Sequence, residues 1–180
     1  MEWTKITSWF KRLFKQAPPT VIVVSGLPRS GTSMMMKMLE AGGLDVVVDH
    51  IRAPNQDNPK GYYEFERVKK LPEGDTAWLP EAEGKVVKII SALLTHLPDS
   101  HAYKVLFMNR EMQEVLASQR RMLVNREEEA DQMDDEEMAQ LFQNHLKDVY
   151  AWMAQHDNVA YMDVSYNVML KDARPVLERV

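Results

Sequence analysis

The stretch VIVVSGLPRSGTSMMMKMLEAGG, residues 21–43, decides the fold of this chain. It opens with the run Val21–Ser25, whose continuous hydrophobicity is typical of a strand buried inside a parallel sheet. A short loop with Gly and Pro follows, and the pattern then predicts a methionine-rich helix over Thr32–Ala41. Gly42 and Gly43 come directly after that helix, where glycine commonly ends one. The stretch therefore predicts a strand–loop–helix unit of an α/β protein.

The loop GLPRSGTS, residues 26–33, nearly matches the phosphate-binding pattern G-x-x-x-x-G-K-[ST]. Gly26 and Gly31 have the required spacing and Ser33 is in place, but Thr32 occupies the lysine position. The two glycines allow successive backbone N–H groups to turn toward one anion. The helix that begins at Thr32 directs its free N–H groups toward the same point.

The side chains of this loop add further groups that bind anions. Ser30, Thr32 and Ser33 carry hydroxyl donors, and Arg29 carries a positive charge three positions before the absent lysine. The combination predicts that the loop binds a phosphate group. The alternative is a Gly/Pro turn that only joins a strand to a helix.

Strand and helix patterns alternate along the rest of the chain, which predicts a parallel sheet with helices on both faces. The predicted strands are Val21–Ser25, Leu44–Val48, Lys85–Ile90, Tyr103–Met108 and Val159–Val164. The predicted helices are Thr32–Ala41, Tyr62–Leu71, Ala92–Leu97, Glu111–Val124, Asp135–His156 and a last helix with Pro175 near its start. Ligands of such sheets bind outside the carboxyl ends of the strands. Those ends are Ser25–Arg29, Asp49–His50, Ile90–Ser91, Asn109–Arg110 and Asp163–Ser165.

Composition restricts the class of protein. The 180 residues are 45% hydrophobic and 27% charged, which is typical of one soluble globular domain. A net charge of −5 argues against general nucleic-acid binding, so no nucleic-acid partner is expected. The chain has no cysteine, which excludes disulfides and thiolate sites and fits a cytoplasmic location.

The first segment, residues 1–17, differs in charge from the rest of the chain. Its four basic residues are opposed by one glutamate, and at about 100° per residue they lie opposite its large apolar side chains. The sequence therefore predicts two parts, a basic amphipathic helix over residues 1–17 and a domain over residues 20–180. Through residues 3–14 the helix would lie on an anionic membrane surface, or pack on its own domain or a second subunit.

Two motifs together resemble the sulfotransferases that use 3′-phosphoadenosine 5′-phosphosulfate (PAPS). PRSGTS, residues 28–33, resembles the family's 5′-phosphosulfate loop, P-[KR]-[SA]-G-T-[ST]. YKVLFMNREMQEVLASQRRML, residues 103–123, resembles its 3′-phosphate segment, in which a strand ends in Arg and a Ser follows eight residues later. Arg110 and Ser118 occupy those positions. The order of elements from Val21 to about Val164 also follows small bacterial sulfotransferase-like proteins.

The resemblance implies a three-layer P-loop kinase-like fold with five parallel strands in the order 2-3-1-4-5. It implies PAPS as the donor, adenosine 3′,5′-bisphosphate as the product, and no metal. The matching positions that would bind the donor are Gly26, Arg29, Ser30, Gly31, Thr32, Ser33, Arg110 and Ser118. Arg29 would contact the oxygen that bridges to the sulfuryl group, while Arg110 and Ser118 would contact the 3′-phosphate.

One departure from the family concerns the general base. Lys88 in GKVVKII fits the lysine of the family's K-x-H pattern, but Ile90 stands where the catalytic histidine is expected, and it cannot accept a proton. Some relatives use a glutamate after the second strand, and NPKGYYEFERVKKL offers Glu64 and Glu66. His50 is another candidate, and the base remains open among these residues. The expected catalytic set is Arg29, Lys88, Glu64 and His50, while His96 and His101 fit ordinary loop histidines better.

The expected function is transfer of a sulfuryl group from PAPS to a hydroxyl or amine of a small molecule, glycan or lipid. A second departure is the sequence after strand five, KDARPVLERV, which has no glycine to match the family's basic Gly-rich segment. With Ile90, it keeps open a module that binds a nucleotide or a partner without catalysis. A P-loop kinase is a third alternative, although it would place lysine at position 32 and a metal-binding acid at the end of strand three.

Overall fold

A computed structural model describes residues 19–49, 51, 61–125 and 134–178. The predicted amphipathic helix over residues 1–17, His50 and most of the loop before Gly61 lie outside the described residues.

Five parallel strands form the centre of the molecule. They are β1 (Thr20–Gly26), β2 (Val46–Val47), β3 (Val86–Lys88), β4 (Ala102–Asn109) and β5 (Val159–Ser165). The order across the sheet is β2-β3-β1-β4-β5. In the register, Val23 of β1 lies between Val87 of β3 and Val105 of β4. The predicted α/β class, parallel sheet and strand order are confirmed.

Helices cover both faces of the sheet because alternate strand residues point to opposite sides. The helices are α1 (Thr32–Ala41), α2 (Met112–Asn125), α3 (Asp135–Gln155), α4 (Tyr166–Lys171) and α5 (Arg174–Leu177). Among the described residues, three 3₁₀ helices span Glu66–Glu73, Leu79–Ala82 and Ser91–His96.

Each face has its own buried cluster of apolar side chains. On one face, Val23, Val105 and Phe107 pack with Val149 and Met153 of α3. On the other, Val24, Leu106 and Met108 of the sheet pack with α1 and with Met169 of α4. The methionine-rich face of α1, which includes Met35 and Met36, is thus core. Because core side chains fill both faces of the sheet, the candidate site lies at the ends of the strands.

Several predicted boundaries are wrong. β2 contains only Val46–Val47 rather than residues 44–48, and β3 only Val86–Lys88 rather than residues 85–90. The predicted helix over Tyr62–Leu71 is absent at its start, because Tyr63 has φ 52°, in the left-handed region that interrupts a helix. Residues 61–65 have no regular secondary structure, and a 3₁₀ helix begins at Glu66.

Candidate functional site

The loop between β1 and α1 turns sharply at three residues with positive φ. Gly26 has φ 146°, Arg29 has φ 69° and Gly31 has φ 101°. The Ser30 N–H closes a turn by donating to the Leu27 carbonyl at 3.2 Å. A β-carbon at Gly26 would lie 2.6 Å from the Met108 carbonyl oxygen, so glycine is required by space as well as by conformation. The predicted loop therefore lies close against the end of β4.

The N-terminus of α1 is open for an anion. Its N-cap is Gly31, which has no side chain to accept from the first N–H groups, and the first turn has no acidic residue. The unsatisfied N–H groups and the positive end of the helix dipole favour a bound negative charge. Ser30 lies beneath the loop with 1% of its surface exposed, and its hydroxyl has no hydrogen-bond partner among the described residues.

The loop contacts the second predicted motif through two hydrogen bonds. Arg29 Nε donates to Ser118 Oγ at 2.9 Å, and Arg110 Nη1 donates to the Arg29 carbonyl oxygen at 3.0 Å. Arg110 follows the carboxyl end of β4, and Ser118 lies two turns into α2. The structure thus brings Arg29 into contact with two predicted site residues that lie more than 80 positions away in sequence.

Arg110 is also held by neighbours that the sequence did not identify. Its Nε donates to Glu114 Oε2 at 2.8 Å, and its guanidinium carbon lies 4.3 Å from the centre of the Tyr166 ring. Asn167 Nδ2 donates to Glu114 Oε1 at 2.8 Å. The hydrogen bonds from Arg110 and Asn167 lower the pKa of Glu114. Glu114 therefore orients Arg110 and links it to the start of α4.

Lys88 and Glu64 face each other beside the phosphate loop. The ammonium group of Lys88, the last residue of β3, lies 3.7 Å from Glu64 Oε1. Lys88 also donates to the Tyr62 carbonyl oxygen, which accepts a second bond from Ser33 Oγ at 3.1 Å. The Lys88 and Glu64 side chains are 7% and 18% exposed, so this polar group is shielded from bulk water. The Tyr62 carbonyl therefore links Ser33 of the loop to Lys88, and Lys88 in turn pairs with Glu64.

A cavity of about 470 Å³ connects these groups, which is within the usual size range for a small-molecule site. Its polar residues include Arg29, Thr32, Ser33, Glu64, Lys88 and Arg110. Its apolar residues include Met34, Phe65, Val68, Ile90, Leu93 and Met122. Ile90 lines the cavity with 37% of its surface exposed. A smaller cavity of about 180 Å³ is lined by Arg110 together with Asn109, Ser165 and Asn167.

The other predicted residues differ in their placement. Glu66 does not line the cavity, and its carboxylate accepts from Lys69 Nζ at 2.7 Å. His101 lies at the start of β4, the opposite edge of the sheet, while His96 is exposed at the end of a 3₁₀ helix. Of the candidate bases among the described residues, the cavity therefore contains Glu64, and His50 lies outside those residues.

Tyr166 is the clearest residue that the sequence reasoning missed. It follows the carboxyl end of β5 directly, so the rule that ligands bind at strand ends could have indicated it. A β-carbon at Gly31 would lie 2.4 Å from Tyr166 Cδ2, so the ring packs directly on the phosphate loop. Glu114 carried a weaker signal, because it lies one helical turn after Arg110.

Comparisons of the sequence with protein-family models and with curated proteins found no match. Within the described ranges, none of the helices has the length and apolar character needed to cross a membrane. The functional interpretation therefore depends on the residues and geometry of this chain.

Proposed function

We propose that this protein is a PAPS-dependent sulfotransferase. The observation that carries the proposal is the contact of Arg29 with Ser118 and Arg110. Each of the two motifs is common alone, but here they meet at one edge of the sheet. There they could bind the 5′- and 3′-phosphate groups of a single donor. A turn that only joined β1 to α1 would not need this second contact.

The residues present fit such a donor. Thr32, Ser33 and the open N-terminus of α1 would hold the 5′-phosphosulfate, with the Ser30 hydroxyl beneath them. Arg110 and Ser118 would hold the 3′-phosphate through charge-assisted hydrogen bonds. Because Arg110 borders both cavities, the smaller one is available to the nucleoside part of the donor.

Two positively charged side chains, Arg29 and Lys88, are candidates to stabilise the negative charge that develops during transfer. PAPS supplies an activated sulfuryl group, and transfer forms a sulfur–oxygen or sulfur–nitrogen bond to the acceptor while the bond to the 5′-phosphate oxygen breaks. Negative charge then accumulates on that phosphate oxygen. Arg29 and Lys88 line the cavity and would stabilise this charge together with the N–H groups of α1. Arg29 and Lys88 would thus supply the positive charge that a lysine at position 32 supplies in the usual phosphate-binding pattern.

Glu64 is our candidate for the general base. Its carboxylate lines the cavity, 3.7 Å from Lys88 Nζ and 4.0 Å from Lys69 Nζ, whereas Glu66 pairs with Lys69 at 2.7 Å and does not line the cavity. In the proposed reaction, Glu64 accepts the proton that the acceptor loses as its oxygen or nitrogen bonds to sulfur. Ile90 occupies the cavity wall and takes no proton.

The apolar wall favours one type of acceptor among the small molecules, glycans and lipids expected from the sequence. Phe65, Ile90, Leu93 and the flexible side chains Met34 and Met122 present few hydrogen-bonding groups. A hydroxyl or amine on an apolar body would bury its carbon skeleton there and leave the reacting atom near Glu64. A polyhydroxylated sugar would lose hydrogen bonds to water on the same wall.

A donor-binding module without catalysis is the second candidate, and Ile90 favours it. The side chain replaces the expected catalytic histidine and lines the cavity. Such a module would keep the phosphate contacts of Arg29 and Arg110 and lack turnover. Binding and turnover must therefore be measured separately.

Binding of adenosine 3′,5′-bisphosphate tests the donor assignment. We expect the bisphosphate to raise the melting temperature without magnesium, and Arg110→Ala to abolish the rise. Arg121→Ala changes an exposed arginine on α2, the helix that follows Arg110, and this matched control should keep the rise. A rise produced by ATP with magnesium but not by the bisphosphate would support a kinase instead.

Turnover of labelled PAPS tests catalysis. We expect transfer to hydroxyl or amine acceptors that have an apolar body. Glu64→Gln should lower kcat by about 10²- to 10⁴-fold, the usual contribution of a general base. Equal kcat values in the two proteins would remove Glu64 as the base. Bisphosphate binding without turnover on any acceptor would favour the module.

The membrane role of residues 1–17 remains a separate proposal, together with peripheral localisation in the cytoplasm. Deleting these residues should reduce binding to anionic liposomes if their basic, apolar pattern holds the protein on a membrane surface. Unchanged binding would leave packing on the domain or self-association as the role of this segment.

A further inference from the structure

Asp49 holds the backbone directly after Glu64, at the Glu64 carbonyl and at the Glu66 N–H. It follows β2 closely, at the carboxyl edge of the sheet. The Asp49 N–H donates to the Glu64 carbonyl oxygen at 3.2 Å, and Asp49 Oδ2 accepts from the Glu66 N–H at 2.5 Å. Asp49 Oδ1 accepts from the Ile51 N–H at 3.0 Å. Both carboxylate oxygens of Asp49 are thus engaged by backbone groups.

The chain before Glu64 is fixed from other directions. The Tyr62 carbonyl accepts from Ser33 and Lys88, and Tyr63 OH donates to Glu40 on α1 at 2.5 Å. Tyr63 adopts φ 52°, an unfavourable conformation that persists only where neighbouring contacts hold it. The segment between Tyr62 and Glu66 has no regular secondary structure, and side chains of α1 and β3, together with Asp49, set its direction.

We propose that Asp49 is a positioning residue that aims the Glu64 carboxylate at Lys88 and the cavity. The inference rests on the proposed function, in which Glu64 is the base. Asp49 is not placed to take the acceptor proton, because it does not line the cavity and its two oxygens face the Ile51 and Glu66 N–H groups. Its carboxylate also lies at the start of the 3₁₀ helix Glu66–Glu73, where negative charge is favourable.

Asp49→Asn is the most informative variant. An asparagine keeps one acceptor oxygen and places an NH₂ group against the second backbone N–H, so one of the two accepted bonds is lost. Asp49→Ala removes both bonds and carries a larger risk of misfolding. Asp45→Asn is the matched control, since Asp45 is an exposed aspartate that precedes the same short strand.

The first experiment measures orientation and needs no turnover. A double-mutant cycle with Glu64→Gln and Lys88→Met, read by urea unfolding of the 180-residue chain, gives the coupling between the two side chains. We expect a coupling free energy between Glu64 and Lys88 in the protein with no other substitution and in the Asp45→Asn background. In the Asp49→Asn background we expect less than half of that coupling free energy. Equal coupling in all three backgrounds, or none in the otherwise unchanged protein, would overturn the inference.

The second experiment separates positioning from general stability. We expect Asp49→Asn to lower kcat at least tenfold while the Kd for the bisphosphate stays within twofold. In the Glu64→Gln background the same change should lower kcat no further, because the group being positioned is already gone. An equal loss of kcat in both backgrounds would mean that Asp49 is only structural. Absence of turnover in the unchanged protein would count against the proposed reaction, while the coupling cycle would still decide the role of Asp49.

Discussion

Arg29 Nε donates to Ser118 Oγ across 89 residues of sequence, at 2.9 Å. The bond joins the loop between β1 and α1 to α2 and places the Ser118 hydroxyl beside the Arg29 guanidinium. In the proposed complex this hydroxyl, which accepts from Arg29, donates its own O–H to the 3′-phosphate, with Arg110 alongside. The contact therefore marks where the two phosphate groups of one donor would lie.

Ser118→Ala should weaken bisphosphate binding by about tenfold, equivalent to ~1.4 kcal/mol, because a charged phosphate loses one hydrogen bond. The measurement is isothermal titration at low ionic strength. Ser100→Ala is the control, since within the described part of the chain the Ser100 hydroxyl bonds to His101, far from the loop. Undiminished affinity in Ser118→Ala would remove Ser118 from the donor site.

Gly31→Ala should destabilise the protein by about 2–4 kcal/mol, from left-handed backbone strain and overpacking. The new β-carbon would lie 2.4 Å from Tyr166 Cδ2 at φ 101°. Gly43→Ala isolates the strain, because Gly43 has φ 92° but a β-carbon added there would meet no described atom within 4 Å. Urea unfolding should show that Gly31→Ala costs at least ~1 kcal/mol more than Gly43→Ala. Equal losses would refute the close approach of Tyr166.

Glu114→Gln should make folding stability less dependent on acid pH. The pKa of Glu114 is lowered below its ordinary value of 4.5, chiefly by its hydrogen bond with Arg110. A carboxyl with a depressed folded pKa stabilises the protein above the unfolded value, and the contribution is lost as pH falls through the folded value. The stability gap between the two proteins should thus be constant above about pH 5.5 and shrink below pH 4.5. Urea midpoints from pH 3 to pH 7 measure this, and a gap that stays constant down to pH 3 would contradict the contribution of Glu114.

Ile90→His in the Glu64→Gln background should raise kcat at least tenfold above that of Glu64→Gln alone. Ile90 already lines the cavity with 37% exposure, so an imidazole can be accommodated there and can accept the acceptor proton. The pH profile of kcat should then follow a group near 6.5, the ordinary value for histidine. Ile90→Asn tests whether polarity alone suffices. Equal rates for the two substitutions would argue against proton transfer at position 90.

The sheet and the phosphate loop were predictable because their signals are local. The β1–α1 unit, residues 20–43, is determined by three local features. They are a continuous apolar strand, two glycines at a fixed spacing and a helix ended by Gly42. Alternation of strand and helix patterns then predicted the parallel sheet, and the resemblance to the sulfotransferases implied its order, which is confirmed. Arg110 and Ser118 could be selected because their spacing after a strand resembles the 3′-phosphate segment of that family.

The rest of the candidate site depends on contacts between distant segments. The pairing of Glu64 with Lys88 requires the chain from Tyr62 to Glu66 to have no regular structure, whereas local periodicity favoured a helix there. Tertiary hydrogen bonds to Tyr62 and Tyr63 override that propensity. Tyr166 was missed for a similar reason, since its role comes from packing on Arg110 and Gly31 rather than from a motif.

The strands that support the two halves of the site are very unequal in length. Arg29 and Arg110 follow β1 and β4, which have seven and eight residues. Asp49 follows a strand of two residues, and Lys88 ends a strand of three. Short ladders open at lower free energy than long ones, so backbone amides near Asp49 should exchange with deuterium well before those of β4. The half proposed to receive the acceptor would therefore loosen while the half proposed to hold the donor stays closed, which favours an ordered sequence in which the donor binds first.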